Sequence, residues 1–158
     1  MRIVIISGYF NPLHGGHLDM IEEAKKLGDY LLVIVHNDKA QMIKKGKIIL
    51  DEENRMRLMR SLRLVDEVIL SIDEDLGQAL TLRKVRKLYP EDELIYVNGG
   101  DRNPNKHALP ENETESCLSC DINLVFGVGN NEVEKRDSSS RINQATGYES
   151  VKKHSSYH

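Results

Sequence analysis

Apolar residues gather in five short runs: Ile3-Val4-Ile5-Ile6, Leu31-Leu32-Val33-Ile34-Val35, Val65 with Val68-Ile69-Leu70, Leu94-Ile95-Tyr96-Val97, and Ile122 with Leu124-Val125-Phe126. A near-continuous apolar run, rather than an alternating one, is what a strand buried on both faces requires, and parallel sheets bury both faces. Between the runs lie segments with helical spacing. Residues 17 to 28 carry Met20, Ile21, Ala24 and Leu27; residues 51 to 64 carry Leu58, Met59 and Leu62; residues 76 to 89 carry Ala79, Leu82, Val85 and Leu88. Each set follows the i, i+3, i+4 rule and predicts one buried face. Gly28 is placed to close the first helix, Asp51 to cap the second with acidic residues behind it, and Pro90 to stop the third.

Strands and helices therefore alternate, with room for a further helix before the last strand and another from Ser138. The pattern predicts an α/β fold, a Rossmann-like open sheet of about five parallel strands with helices on both faces. Such sheets bind ligands beyond the carboxyl ends of their strands, near the point where strand order reverses. The loops that matter then begin at Ser7, His36, Ser71, Asn98 and Gly127. After Gly129 the composition turns polar and small. Residues 1–146 read as one domain, and 147–158 as a polar C-terminal tail.

Composition narrows the function classes. The 22 basic and 25 acidic residues are intermixed at a net charge of -3, which provides no basic field of the kind that drives nucleic-acid binding. No apolar run approaches the roughly 18 to 20 residues of a membrane span, and no signal-peptide pattern opens the chain, so a cytoplasmic location is expected. Cys117 and Cys120 form one CxxC. A structural zinc site takes about four ligands, with His107 the one candidate third, so two reduced thiols are expected instead. Asn112-Glu113-Thr114 fits a glycosylation sequon and, without a secretory signal, reads as a chance match. GxGxxG and P-loop patterns are absent, which argues against dehydrogenases and Walker-type ATPases.

The first loop carries the most explicit chemistry. In GYFNPLHGGH, residues 8 to 17, the first strand ends near Ser7 and a helix is expected to begin near His17. A helix N-terminus offers unpaired amides and partial positive charge, which suits phosphate. His14 and His17 add directed donors, and Gly15 and Gly16 remove the Cβ atoms that would hold a phosphate away. Either histidine alone would more often be a packed or surface residue. Paired at a strand-to-helix turn, they favour the anion reading.

This loop resembles the GxFDxxHxGH signature of the cytidylyltransferase-like nucleotidyltransferases, which join a nucleoside triphosphate to a phosphorylated small molecule and release pyrophosphate. The resemblance covers most of the chain. HND at 36 to 38, Lys44, Arg55, Arg63 and VDEV from Val65 match the first half of the glycerol-3-phosphate cytidylyltransferases; SIDEDLGQAL at 71 to 80 and NGGD at 98 to 101 are more similar to the heptose-1-phosphate adenylyltransferases. DSSSRI at 137 to 142 resembles the ISTTxI that opens the family's last helix.

The resemblance implies roles. His14 and His17 would hold the α- and β-phosphates, and Lys44, in a basic loop QMIKKGK with Lys45 and Lys47 in reserve, would clamp the acceptor phosphate. Asp38, Arg55 and Arg63 would bind the acceptor, with Arg63 also counted among the catalytic residues; the two arginines lie eight apart, about two helical turns, so one helix face can aim both at one anion. Gly8, Tyr9, Phe10, Gly16, Asn98, Gly99, Asp101 and Arg102 would line the nucleotide, and Ser138, Ser139 and Ser140 its β- and γ-phosphates, although a serine there is also a favoured N-cap. Mg²⁺ would be held mainly by the triphosphate, with no protein ligand assigned. A homodimer is the family expectation, and the acceptor pocket is expected in variable loops such as residues 102 to 120.

Three letters depart from the family. Asn11 stands in place of Asp but keeps an acceptor oxygen. Asp137 sets an anion beside the expected triphosphate site, within reach of Lys135 and Arg136, and Arg102 replaces an aromatic and can both pair with phosphate and stack. The leading reading is a nucleotidyltransferase acting on a phosphorylated sugar or polyol, with CTP slightly favoured over ATP. The alternatives are a sugar-1-phosphate adenylyltransferase of the ADP-heptose type and a non-catalytic nucleotide-binding module of the same fold. A fragment of an aminoacyl-tRNA synthetase fails on length and on the missing basic surface.

Overall fold

In a computed structural model, residues 1–74, 77–99 and 111–128 are described. Five strands, β1 (Arg2–Gly8), β2 (Tyr30–Val35), β3 (Glu67–Leu70), β4 (Glu93–Gly99) and β5 (Ile122–Val128), form one parallel sheet in the order β3-β2-β1-β4-β5. The helices are α1 (Gly15–Lys25), α2 (Asp38–Lys45), α3 (Glu52–Arg60), α4 (Ala79–Leu88) and α5 (Glu111–Ser119). Alternate residues of β1 divide between two cores. Val4 and Ile6 join Met20, Ile21, Met56 and Met59 of α1 and α3 on one face. Ile3 and Ile5 join Leu82, Val85 and Cys117 of α4 and α5 on the other. Burial on both faces explains the unbroken apolar runs.

Strand order reverses between β1 and β4. The chain builds outward from β1 through β2 to β3, then returns to β1's other side. The crevice beyond β1 and β4, past Gly8 and Gly99, is therefore the expected ligand site.

Four expectations are corrected. QMIKKGK is the end of a helix, since Asn37 caps α2 by accepting from Ala40 N at 2.8 Å and Gly46, at φ 72°, supplies the left-handed turn that stops it. The helix expected before the last strand is α5, and it falls within the 102 to 120 segment expected as loop. Asp51 does cap α3, but the helix ends at Arg60 and buries Arg55, Met56 and Met59, leaving Leu58 42% exposed; Leu88 of α4 is likewise 51% exposed. Gly28 does not cap α1, whose C-cap is Lys26. A Cβ at Gly28 would lie 2.7 Å from Arg2 O and 2.8 Å from Val4 Cγ2, so the glycine lets the chain pass close to β1.

Candidate active site

The two histidines form a closed pair. His14 is the N-cap of α1, which begins two residues earlier than expected, and its Nδ1 accepts from Gly16 N at 3.0 Å. His17 Nδ1 accepts from His14 N at 3.2 Å, which completes a reciprocal capping box built from imidazoles. The rings stack with centroids 3.8 Å apart. A ring nitrogen that accepts cannot hold the proton, so each neutral imidazole carries it on Nε2. Both Nε2 atoms are buried. Two N–H donors are thereby held in fixed orientation at the positive end of α1.

Phe10 fixes this pair from below. Its ring meets His17 edge-on at 5.0 Å, packs in the core, and lies 2.8 Å from where a Cβ of Gly8 would be. Its φ of 53° is unusual for a bulky side chain and is held by that packing. Phe10 and Gly8, expected along the nucleotide, thus pack against each other, and the Gly16 amide is engaged by His14.

Arg55 is completely buried. Its guanidinium donates to Leu50 O (2.9 Å), Tyr9 O (2.9 Å), His36 O (2.7 Å) and Asp38 Oδ1 (2.7 Å), which ties the loops after β1 and β2 to α3. Four of its five donors are committed to protein. Arg63 lies three residues past the end of α3 and is exposed. Three residues further on, Asp66 bonds Leu31 at the start of β2, so Arg63 is at the amino edge of the sheet. The two arginines therefore do not share a face aimed at one anion. Asp38 is spent on Arg55.

Lys44 does reach the first loop. Its Nζ sits 4.5 Å from the centroid of the Tyr9 ring, which meets the His36 ring at 4.0 Å with a 33° tilt. Asn11 Oδ1 accepts from Ile49 N (3.1 Å) and Leu50 N (2.8 Å), so the departure from Asp keeps the acceptor oxygen in use. At the end of β4, Asn98 is buried with Nδ2 lacking a hydrogen-bond partner. Gly99 pairs with Val128 in the sheet. Asp101, Arg102, Asp137, Ser138, Ser139 and Ser140 lie outside the described residues.

Some polar residues were not singled out from sequence. Asp73 is buried and accepts from Leu80 N and Thr81 N, both at 2.9 Å, capping α4 from a distance. Asn37 Nδ2 donates to Ser71 O (3.1 Å) and Asp73 O (2.8 Å), fastening α2 to the loop after β3. Below the first loop, Tyr96 OH donates to buried Glu113 at 2.8 Å and lies 2.8 Å from Ser7 Oγ. Burial, then the Glu113 carboxylate and Cys120, pushes the Cys117 thiol up to about 12. Both cysteines are free.

A histidine pair thus caps the first helix at the switch point of a five-stranded parallel α/β sheet. Residues 5–145 match the Cytidylyltransferase-like family, and the chain belongs to that family. It is 42% identical over 91 residues to an FAD synthase of Ferroglobus placidus, covering 58% of this chain and 56% of that one. An Archaeoglobus fulgidus FAD synthase is 33% identical over 116 residues, covering 73% and 78% respectively. The glycerol-3-phosphate cytidylyltransferase of Bacillus subtilis is 42% identical over 69 residues, covering 44% and 54%. The chain thus spans little more than half the length of two of these three relatives. Among solved structures, a lipopolysaccharide core biosynthesis protein from Thermoplasma volcanium superimposes with a TM-score of 0.61 at 30% identity, over 82% of this chain and 98% of its own. Among the described residues, no helix is long and apolar enough to cross a membrane.

Proposed function

We propose that this chain is a nucleotidyltransferase that transfers the nucleoside monophosphate group of a nucleoside triphosphate to a phosphorylated small acceptor and releases pyrophosphate. The observation that carries this reading is the imidazole capping box, which aligns two Nε2–H donors with the N-terminus of α1. In the reaction, an acceptor phosphate oxygen attacks the α-phosphorus in line. The new P–O bond forms as the bond to the β-phosphate breaks, and the electron pair leaves on pyrophosphate. Catalysis then consists of positioning and charge stabilisation. His14 and His17 donate to the α- and β-phosphate oxygens, and Lys44 neutralises the acceptor phosphate. Asn98 Nδ2, a buried donor, faces the nucleotide, and the hydroxyls of Ser138, Ser139 and Ser140 take its β- and γ-phosphates. Asp101 and Arg102 remain the nucleotide contacts of the fourth loop. Arg55 and Asp38 act as positioning residues, through the backbone that carries Tyr9 and His36.

Mg²⁺, which neutralises triphosphate charge, is carried on triphosphate oxygens and water in this reading. Among the described residues, no group of three His, Cys, Asp or Glu side chains is placed to hold a metal. ATP is the proposed donor: two of the three relatives above are named FAD synthase, and FAD contains an adenylyl group. CTP is the second reading, favoured by the cytidylyltransferase of Bacillus subtilis. Pyrophosphate release with ATP, CTP, GTP and UTP across polyol phosphates, sugar phosphates and FMN tests both, with His17→Ala as control. Release with ATP and an acceptor is expected. Triphosphate binding without release from any pair would leave only a binding module.

A further inference from the structure

Helix α2 carries Lys44 to the first loop, yet little apolar packing fixes its direction. Of its eight residues only Ala40 and Gln41 are buried, while Met42 and Ile43 are 50% and 57% exposed. Its joints are polar and gather at the first turn. Asp38 binds Arg55 through Oδ1 and Glu52 through its amide, both on α3. Asn37 faces the other way. Its Oδ1 accepts from Ala40 N at 2.8 Å, and its Nδ2 lies within donating distance of Ser71 O (3.1 Å), Ser71 Oγ (3.0 Å) and Asp73 O (2.8 Å). Only an oxygen accepts from a backbone N–H, so the Ala40 bond fixes which way the side-chain amide is turned. The loop that Nδ2 grips is itself held: Ser71 N donates to Val35 O at 2.9 Å, and Asp73 accepts from Leu80 N and Thr81 N of α4. At the far end of α2, Gly46 turns at φ 72°, and three residues later Ile49 is tied to Asn11. Lys44 lies between these two anchorages, with Nζ over Tyr9.

We propose that Asn37 is a positioning residue: by gripping the loop after β3, its amide nitrogen sets the tilt of α2 and so the place of Lys44 in the reaction. The effect on rate rests on the nucleotidyltransferase reading; the effect on Lys44 does not. Lys44 follows Asn37 by seven residues, about 10 Å along a helix axis, so a tilt of about 10° at the cap displaces it by about 2 Å. Misplacing a reacting or stabilising group by about 1 Å costs on the order of 10²-fold in rate. The capping oxygen and the tethering nitrogen can be separated by substitution. Asn37→Asp keeps a capping oxygen and has no donor, and Asn37→Ser has one polar atom, which the cap occupies. The first adds a charge and the second removes bulk. An effect common to both therefore belongs to the lost amide nitrogen.

Amine-selective acylation of the full chain, read residue by residue in mass spectra, reports the surroundings of Lys44 without needing turnover. Lys26, 70% exposed at the end of α1, is the internal standard. In both variants Lys44 is expected to label several-fold faster than in wild type, with far-UV circular dichroism and one cooperative melting transition retained. Pyrophosphate release should fall about 10- to 100-fold, with the KM for triphosphate unchanged. In a Lys44→Ala background the same substitutions should alter release by less than about twofold, because Asn37 acts through that lysine. Lys39→Ala, which removes an exposed ion pair between α2 and Glu74, should leave labelling and release as in wild type. Unchanged Lys44 labelling in both variants, loss of the cooperative transition in both, or a full further loss of release without Lys44 would overturn the proposal. Faster labelling with steady release would overturn it too. If the wild type binds triphosphate but releases nothing, while Lys44 labelling still responds to Asn37, the turnover reading fails alone and the tether stands.

Discussion

The loop after β1 and the longer path from β2 through α2 into α3 meet at the same edge of the sheet, and they use their polar residues in opposite ways. In the first, His14 Nδ1 accepts from Gly16 N and His17 Nδ1 from His14 N, which leaves the protonated Nε2 atoms outside the capping bonds. In the second, the strongest cation turns inward: Arg55 spends its donors on three carbonyls and Asp38, and the Arg55 strut helps to hold the first loop in place. A charged residue near a proposed phosphate site is thus not automatically a phosphate ligand. Burial decides, because a desolvated guanidinium must be matched by protein acceptors or it does not stay buried.

The contrast can be broken most severely at Arg55. Arg55→Ala is expected to cost about 3–5 kcal/mol in urea unfolding followed by circular dichroism, as for removal of one partner from a buried ion pair. Arg63→Ala should stay within about 0.5 kcal/mol of wild type in the same assay. Equal effects would mean that the two arginines do not divide as described. At the first loop, His17→Ala should lower pyrophosphate release about 10²- to 10³-fold. The loss of its bond to His14 N should cost helix capping about 1 kcal/mol as well. Asn11→Leu strands the amides of Ile49 and Leu50, and its expected cost is about 1–3 kcal/mol. Asn11→Asp keeps the acceptor and should change stability by less than that, which separates the oxygen's role from the amide's.

The smallest expected effect lies under the first loop, at Cys117. Its thiol is held above its ordinary value by burial, so the folded state keeps a proton that the unfolded state has lost. Stability from this group is complete below about pH 9 and falls as pH rises towards about 12. Urea titrations at pH 8, 9 and 10 should show a decline that Cys117→Ala reduces. In the native protein at pH 8, a thiol-reactive chromophore should label Cys120 and spare Cys117, since thiolate is the reactive form.

The sheet was legible because burial on two faces writes unbroken apolar runs, and each of the five runs is a strand or borders one. Helix α2 was not, because three lysines among its eight residues mask a short helix whose stability comes from its ends. Asn37 and Gly46 were the available signals. Capping also explains the shifted start of α1: histidine is an uncommon N-cap, and no periodicity distinguishes it from a first-turn residue. Arg55 and Arg63 could not be told apart by spacing, since the helix between them ends at Arg60. Nothing in the sequence distinguishes Gln41 or Gln78 from any surface glutamine, although the fold buries both.

The imidazole box has a consequence for how this domain tolerates change. The atoms that close the first turn of α1 belong to the same rings that bind the phosphates in the proposed reaction, so folding and turnover would be read from one pair of letters. A mutational survey scored by protein abundance would flag His14 and His17 as structural, and one scored by product would flag them as chemical. A lineage that abandoned the reaction would still be under pressure to keep the motif until another cap replaced it.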